Sequence, residues 1–247
     1  MKVNRYTPGY GTAMLDFFRQ RTADMHAAFF LPYLPAGLRL LDAGCGPGSI
    51  TLGLARKIAP GQVIGVDIEG SQFAKAVGEA RREGLSVEFR VASVYDLPFP
   101  SHSFDAVFSH AVMSHLSDAP ASLREFHRVL KPGGLIGVRT GDLGGLLIDA
   151  ESDAPARGFA AYIEQQKKNG GDPLVGRKIG RLLRGAGFEV LKVGATYEVI
   201  SDGASNFASL AAPPFMPEFA GSATGASANT EQLFVALPWC EAVGRAC

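Results

Sequence analysis

The chain reads as a doubly wound α/β fold, and three observations predict it. Short β-rich runs alternate with helix-length amphipathic segments from about Arg39 onward. The first of those runs ends in glycines at alternate positions, and the second ends in a carboxylate. Strands are expected over 38–42, 62–67, 86–91, 104–109 and 135–140, with helical crossovers between them. The best punctuated helix begins at the Ser117-Asp118 cap, carries Pro120 in its first turn and repeats Leu123, Phe126, Val129 and Leu130 at helical spacing before Lys131-Pro132-Gly133-Gly134. Upstream, 12–31 reads as one amphipathic helix. Downstream, 188–199 alternates like a strand, 194–228 is rich in Ala, Ser, Gly and Pro with scattered Phe and is expected to form a mobile lid, and 230–247 fits helix or strand equally. One domain follows: an N-terminal helical arm over 1–35, a core over 36–193, and a lid with the C-terminal segment over 194–247.

Composition excludes several function classes. Lys+Arg 24 balances Asp+Glu 24, so the chain lacks the basic excess that draws a protein to nucleic acid or anionic lipid. No stretch approaches the ~18 apolar residues of a membrane span, and residues 1–11 lack the apolar run of a signal peptide. A soluble, cytoplasmic protein is expected. Cys45, Cys240 and Cys247 are odd in number and contain no C-x-x-C pair, so neither a disulfide framework nor a metal site is indicated.

The chemistry concentrates in Asp42-Ala43-Gly44-Cys45-Gly46-Pro47-Gly48-Ser49, where glycines let the backbone approach a ligand. Asp67 follows Gly48 at the distance where such folds place an acid against ribose hydroxyls, so the pair implies a nucleoside-containing cofactor. A nicotinamide dinucleotide requires G-x-G-x-x-G, and Ser49 stands at the third glycine. Asp42 would also repel a pyrophosphate, whereas S-adenosylmethionine has no phosphate and carries an ammonium and a sulfonium that an acidic rim favours. Cys45 has no partner base in the motif and reads as packing.

These residues resemble the class I S-adenosylmethionine-dependent methyltransferases of the ubiquinone/menaquinone-methyltransferase-like group. The ordered segments are Asp42 to Gly48, Val63 to Asp67, Asp96-Leu97-Pro98-Phe99-Pro100 with Ser103-Phe104-Asp105, Ser109 to Asp118, and Arg128 to Gly134. A narrower likeness runs through Arg21-Thr22-Ala23, Ser109-His110, His115-Leu116-Ser117-Asp118, Asn169-Gly170-Gly171-Asp172-Pro173, Gly176-Arg177 and Ala186-Gly187-Phe188, and is similar to gliotoxin-type dithiol S-methyltransferases. The resemblance implies a Rossmann-like, seven-stranded, mostly parallel sheet with the cofactor at the strands' carboxyl ends. It implies that Asp42 and the backbone of Gly44, Gly46 and Gly48 hold the methionine part, that Asp67 holds the ribose, that Ile68 and Val94 meet the adenine, and that Arg21 faces the cofactor carboxylate. The sequence departs from the group at Ser93, where an Asp usually accepts from the adenine amino group, and at Thr140, which leaves Asp142 as the nearest carboxylate after Arg139.

Methyl transfer from a sulfonium needs alignment, exclusion of water and, for some acceptors, removal of a proton. His110, just past the fourth strand at the cleft edge, is the first candidate to line the cofactor and to steer or deprotonate the acceptor; His115 and Asp142 are weaker ones. His102, His26 and His127 carry no assigned role. Tyr6 and Tyr10, with Phe207, Phe215, Met216 and Phe219, are expected to line an apolar acceptor pocket, or else to pack as an ordinary lid. The expected activity is methylation of a small molecule, foremost a thiol or dithiol secondary metabolite on sulfur. The alternatives are O- or C-methylation of a phenol or quinol, and a binding module that has kept the cofactor but lost the reaction. Acceptor identity and oligomeric state are not legible.

Overall fold

The computed structural model describes residues 6–201 and 234–247, with the side chains of residues 200 and 201 left aside. In chain order the elements are α1 (Thr12–Arg19), α2 (Ala23–His26), β1 (Arg39–Ala43), α3 (Ser49–Ile58), β2 (Gln62–Asp67), α4 (Ala74–Glu83), β3 (Val87–Val91), β4 (Phe104–His110), α5 (Ala119–Val129), β5 (Leu130–Gly141), β6 (Leu147–Asp149), α6 (Ala154–Lys168), α7 (Ile179–Gly185), β7 (Phe188–Ser201) and β8 (Phe234–Ala246). Strands β3, β2, β1, β4 and β5 run parallel in that spatial order. Strand β8 pairs antiparallel with β5 on one edge and, over its whole length, with β7 on the other.

Among the described residues the sheet holds eight strands where seven are expected. The additional one is short: β6 pairs with Phe234 to Ala236 on the same edge of β8 that β5 occupies from Trp239 onward, so β6 continues β5 end to end. Seven strand positions therefore remain, and the mostly parallel, Rossmann-like architecture stands.

Period-two alternation sorts the strands onto two cores. Leu41, Ile64, Val107, Ile136, Val138 and Ala242 face α5 and α7, packing against Leu123, Phe126, Ile179 and Leu183. Their neighbours Leu40, Val63, Ala106, Phe108 and Val243 face the other way, against Ala27, Phe30, Ile50 and Leu54. Runs apolar on both faces are what a parallel sheet covered by helices on each side requires.

The N-terminal segment breaks where one helix is expected over 12–31. Helix α1 closes at Gln20, and Thr22 then takes an extended conformation and accepts a hydrogen bond from Met25 N–H, capping the separate α2. A Thr cap inside an amphipathic pattern ends one helix and starts another, and the break turns the Arg21 and His26 side chains toward the sheet. The helix expected after Ser117 is present as α5, with Asp118 accepting from Ala121 N–H and Pro120 in the first turn. Residues 194–201, expected in a lid, instead extend β7, and the ambiguous C-terminal stretch is the strand β8. Phe207, Phe215, Met216 and Phe219 lie outside the described residues.

Candidate active site

The loop after β1 is built on backbone geometry that only glycine adopts without strain. Gly44, Gly46 and Gly48 have φ of 79°, 53° and 83°. A Cβ on Gly44 would collide with the Val112 side chain, and one on Gly48 would sit 2.7 Å from the Phe89 ring and 2.8 Å from Ala76. Gly46 differs, since a Cβ there would find only Gln72 Oε1 at 3.9 Å. Two glycines thus let protein pack closely, and the third leaves the backbone open to a ligand.

Asp67 ends β2 and ties down that loop. Its Oδ2 accepts from Gly46 N–H at 2.9 Å and its Oδ1 from Glu69 N–H at 3.1 Å. Burial nonetheless raises its pKa, outweighing the backbone donors. Next to it Ile68 is 68% exposed, an apolar side chain held at the rim where an adenine face would rest. Asp42 lies deeper, 2% exposed, and accepts a 2.6 Å hydrogen bond from Thr51 Oγ1. Burial lifts its pKa to about 7 against the opposing Thr51 bond, with the nearby Asp67 charge adding to the rise. Cys45 is buried and its thiol is pushed up by burial, so it is inert packing.

Ser93 accepts from Tyr95 N–H at 3.2 Å, which leaves its hydroxyl hydrogen unassigned. Val94 packs at the margin of the α5-side core. Arg21 stands between α1 and α2 with its guanidinium 4.5 Å from the Phe18 ring centroid and forms no ion pair among the described residues. Burial lowers its pKa, partly offset by Tyr6 and Glu198. The N-terminal Tyr pair lies beside it: Tyr6 stacks on Tyr10 at 5.1 Å, meets His115 edge-on at 4.8 Å, and Thr7 accepts from Asn169 Nδ2. Burial pushes the Tyr10 phenol up to about 12, with Asp67 and Glu69 adding to it, so both phenols stay protonated near the loop.

His110 closes β4, and the residue after it, Ala111, is held at φ 59°, a left-handed conformation costly for a residue with a Cβ. Both His110 ring nitrogens are buried without a partner among the described residues. The ring lies 5.0 Å from Trp239 and 5.1 Å from His26. Burial, then the Arg21 and Arg139 charges, hold its pKa well below the usual histidine value. His110 is therefore a neutral imidazole at physiological pH.

The other two catalytic candidates have structural partners. His115 Nδ1 lies 3.3 Å from Gln166 Nε2, and burial and Arg21 lower its pKa to about 4. Asp142, the weaker carboxylate candidate, is held by several donors. Its oxygens accept from Arg177 Nε, Nη2 and backbone N–H and from Gly144 N–H, and these bonds hold its carboxyl below the usual range despite burial. These donors fix the turn that follows β5. Sequence reasoning missed Trp239 and Arg139: the guanidinium lies 4.4 Å from the indole centroid, and both carry buried N–H groups without partners. The signal available was a single Trp in the chain, but it lies in a segment whose secondary structure the sequence left open. Among the described residues there is no cluster of three or more His, Cys, Asp or Glu able to hold a metal, and no helix long and apolar enough to cross a membrane.

The parallel sheet, the open glycine loop and the acid after β2 make up a Rossmann-like α/β fold of the kind that solved methyltransferases share. Residues 41–138, from β1 through most of β5, match the family model described as a methyltransferase domain. An uncharacterized methyltransferase of Schizosaccharomyces pombe is 37% identical over 145 residues, which cover 56% of this chain and 52% of the relative. The chain spans about half the length of that relative and of the probable methyltransferase ltbC of Aspergillus luteorubrus. Among solved structures, geranyl diphosphate methyltransferase in complex with GPP and sinefungin superposes with a TM-score of 0.61 at 19% identity, over 90% of this chain and 77% of that one. The [4+2]-cyclase SpnF superposes at 0.56 and 24% identity, over 94% and 79%. The domain match and this fold indicate S-adenosylmethionine as the cofactor, and the loop fits it: open backbone at Gly46, carboxylates at Asp42 and Asp67 and an exposed apolar side chain at Ile68.

Proposed function

We propose that the protein is an S-adenosylmethionine-dependent methyltransferase of a small-molecule acceptor, and that the acceptor atom is the sulfur of a thiol or dithiol metabolite, as in the gliotoxin-type enzymes it resembles. The observation that carries this is His110: neutral, buried, with both ring nitrogens unpartnered, at the end of β4 beside the loop. An imidazole held below its usual pKa is unprotonated throughout the physiological range but is a weak base. It suits a thiol with a pKa of about 8.5 better than a phenol near 10, whose proton is roughly thirtyfold harder to remove.

In this assignment Asp67 takes the ribose hydroxyls, Ile68 and Val94 the adenine with Ser93, Arg21 the carboxylate, and Asp42 with the Gly44, Gly46 and Gly48 backbone the methionine part. The bound cofactor supplies an electrophilic methyl on sulfonium. His110 accepts the hydrogen bond of the acceptor S–H and takes its proton as the sulfur–carbon bond forms, while the pair of the breaking bond stays on the cofactor sulfur. Tyr6 and Tyr10 close the cleft from the N-terminal side and help exclude water. Asp142 and His115 hold the surrounding turns.

Radiolabelled methyl transfer into a panel of dithiols, monothiols, phenols and quinols tests the reading. Turnover of phenols or quinols without any thiol assigns the acceptor atom to oxygen or carbon. Cofactor binding with no turnover of any class assigns a binding module, a reading kept open by the cyclase that shares the fold. In the thiol case, His110→Ala loses most activity near pH 6 and recovers part of it near pH 9, where solvent ionises the acceptor; a loss independent of pH makes His110 a packing residue.

A further inference from the structure

Beside His110, on the face of the sheet that meets α2, a row of side chains runs across three strands. His110 of β4 is in register with Arg139 of β5, and Arg139 with Glu241 of β8, so the three share a face; Trp239, two residues before Glu241, joins them. Arg139 is 4% exposed and spends Nε on Glu241 at 3.2 Å, while its Nη1 is buried without a partner among the described residues. The Trp239 Nε1 donor is buried and unpartnered as well, on a ring that touches both the Arg139 guanidinium and the His110 imidazole. A buried donor left unmade forfeits its hydration without return, and a ligand that accepts from it restores the balance.

The charges on the packed elements define what completes them. Arg139 is matched by Glu241, Arg21 has Glu198 in its neighbourhood, and His26 and His110 are neutral because burial and these arginines lower both. The region is near balance, so it supplies directed N–H groups rather than net positive potential. We infer that Arg139 and Trp239 form an acceptor-recognition subsite for a neutral carbonyl oxygen, of the amide or ketone class, on the molecule whose reactive atom lies at His110. The inference rests on the small-molecule methyltransferase reading for its biological meaning, but the subsite itself binds without turnover.

Trp239 is the only tryptophan in the chain, so its emission reads this subsite directly. With S-adenosylhomocysteine saturating, the full chain is titrated with benzamide, benzoate and toluene, which share a ring and differ in the group presented. Benzamide is expected to shift the emission and to bind at least about fivefold more tightly than the other two. Arg139→Met, checked by circular dichroism, should abolish that preference. Because removing Arg139 leaves Glu241 without its partner, Trp239→Phe followed by calorimetry is the second variant, and it should keep ring affinity while reducing the preference for benzamide. Equal or tighter binding of toluene, or a preference that survives both variants, overturns the inference, and tighter binding of benzoate replaces it with an anion site. A failure of S-adenosylhomocysteine to bind in the same calorimeter strikes the cofactor reading alone, since the benzamide preference is then measured in its absence.

Discussion

The two halves of the sheet treat their polar groups differently. In the parallel half the carboxylates around the glycine loop are already engaged: Asp67 with Gly46 and Glu69, Asp42 with Thr51. Where β4 and β5 meet the antiparallel strand β8, buried groups are open instead: both nitrogens of His110, Nη1 of Arg139 and Nε1 of Trp239. A site for an invariant cofactor is preorganised by internal hydrogen bonds, whereas a site for a particular acceptor keeps donors in reserve for it. Breaking the first half should therefore cost cofactor affinity and stability together. Changing the second should alter acceptor preference while the fold persists.

The largest effect is expected at Gly44. Alanine there meets Val112 in a left-handed conformation at the junction of the loop with the end of β4. Strain and overpacking together should destabilise the protein by about 2–4 kcal/mol. Displacing the loop by about an ångström should weaken S-adenosylhomocysteine binding by roughly a hundredfold or more. Thermal unfolding and calorimetric titration read the two losses; an unchanged affinity places the cofactor away from this loop.

Asp67→Ala comes next. It removes the proposed ribose acceptor and also frees Gly46 N–H, so binding should weaken by about 1–3 kcal/mol, roughly five- to 150-fold. Asp67→Asn keeps an oxygen for one donor and should fall between the wild type and alanine. If alanine binds normally, the ribose is held elsewhere.

That the loop after β1 was legible in the sequence and the row across β4, β5 and β8 was not has a physical cause. A strand buried on both faces and a glycine loop are written in consecutive residues: Leu40 and Leu41 already point to opposite cores, and the three glycines carry the positive φ that the spacing implies. The row of His110, Arg139 and Trp239 spans 130 positions and exists only through strand register, which no local pattern encodes. The split of the first helix failed for a different reason. Thr22 caps α2 within an apolar periodicity that continues across the break, so periodicity outvoted the cap. The pairing of Asp142 with Arg177 was not legible, because a carboxylate at a strand end looks the same in sequence whether an arginine holds it or not.

Asp42→Asn separates stability from binding. The folded carboxyl titrates at about 7, while an unfolded one titrates near 3.9, so the native state holds a proton over the interval in which the unfolded chain has lost it. Stability consequently falls as pH rises from about 4 to about 7, and above that the full cost, on the order of a few kcal/mol, is present. Asparagine still accepts from Thr51 without the charge, so at pH 8 the variant should melt higher than the wild type. Its cofactor binding should weaken, because the cationic ligand favours ionised Asp42. In the wild type, binding should therefore strengthen as pH rises through 7 and release a proton, seen as a dependence of calorimetric enthalpy on buffer ionisation that the variant lacks. A wild type with no such dependence places Asp42 outside the cofactor's field.

The smallest change sharpens the cofactor half at Ser93, one of the two departures from the group the sequence resembles. Ser93 already accepts from Tyr95 N–H, and an aspartate in the same turn keeps that bond with one oxygen and presents the other toward the adenine edge. Hydrogen bonds to a charged acceptor are worth about 1.5–3 kcal/mol against about 1 for a neutral one, but the new carboxylate also gives up its hydration. The net gain for Ser93→Asp should be only a few-fold in affinity for S-adenosylhomocysteine. Its specific signature is discrimination. Against S-inosylhomocysteine, which lacks the adenine amino group, the wild type should show little preference and the variant a clear one. If both proteins discriminate equally, the amino group is read by some other atom, and Ser93 then serves only the turn that its bond to Tyr95 already closes.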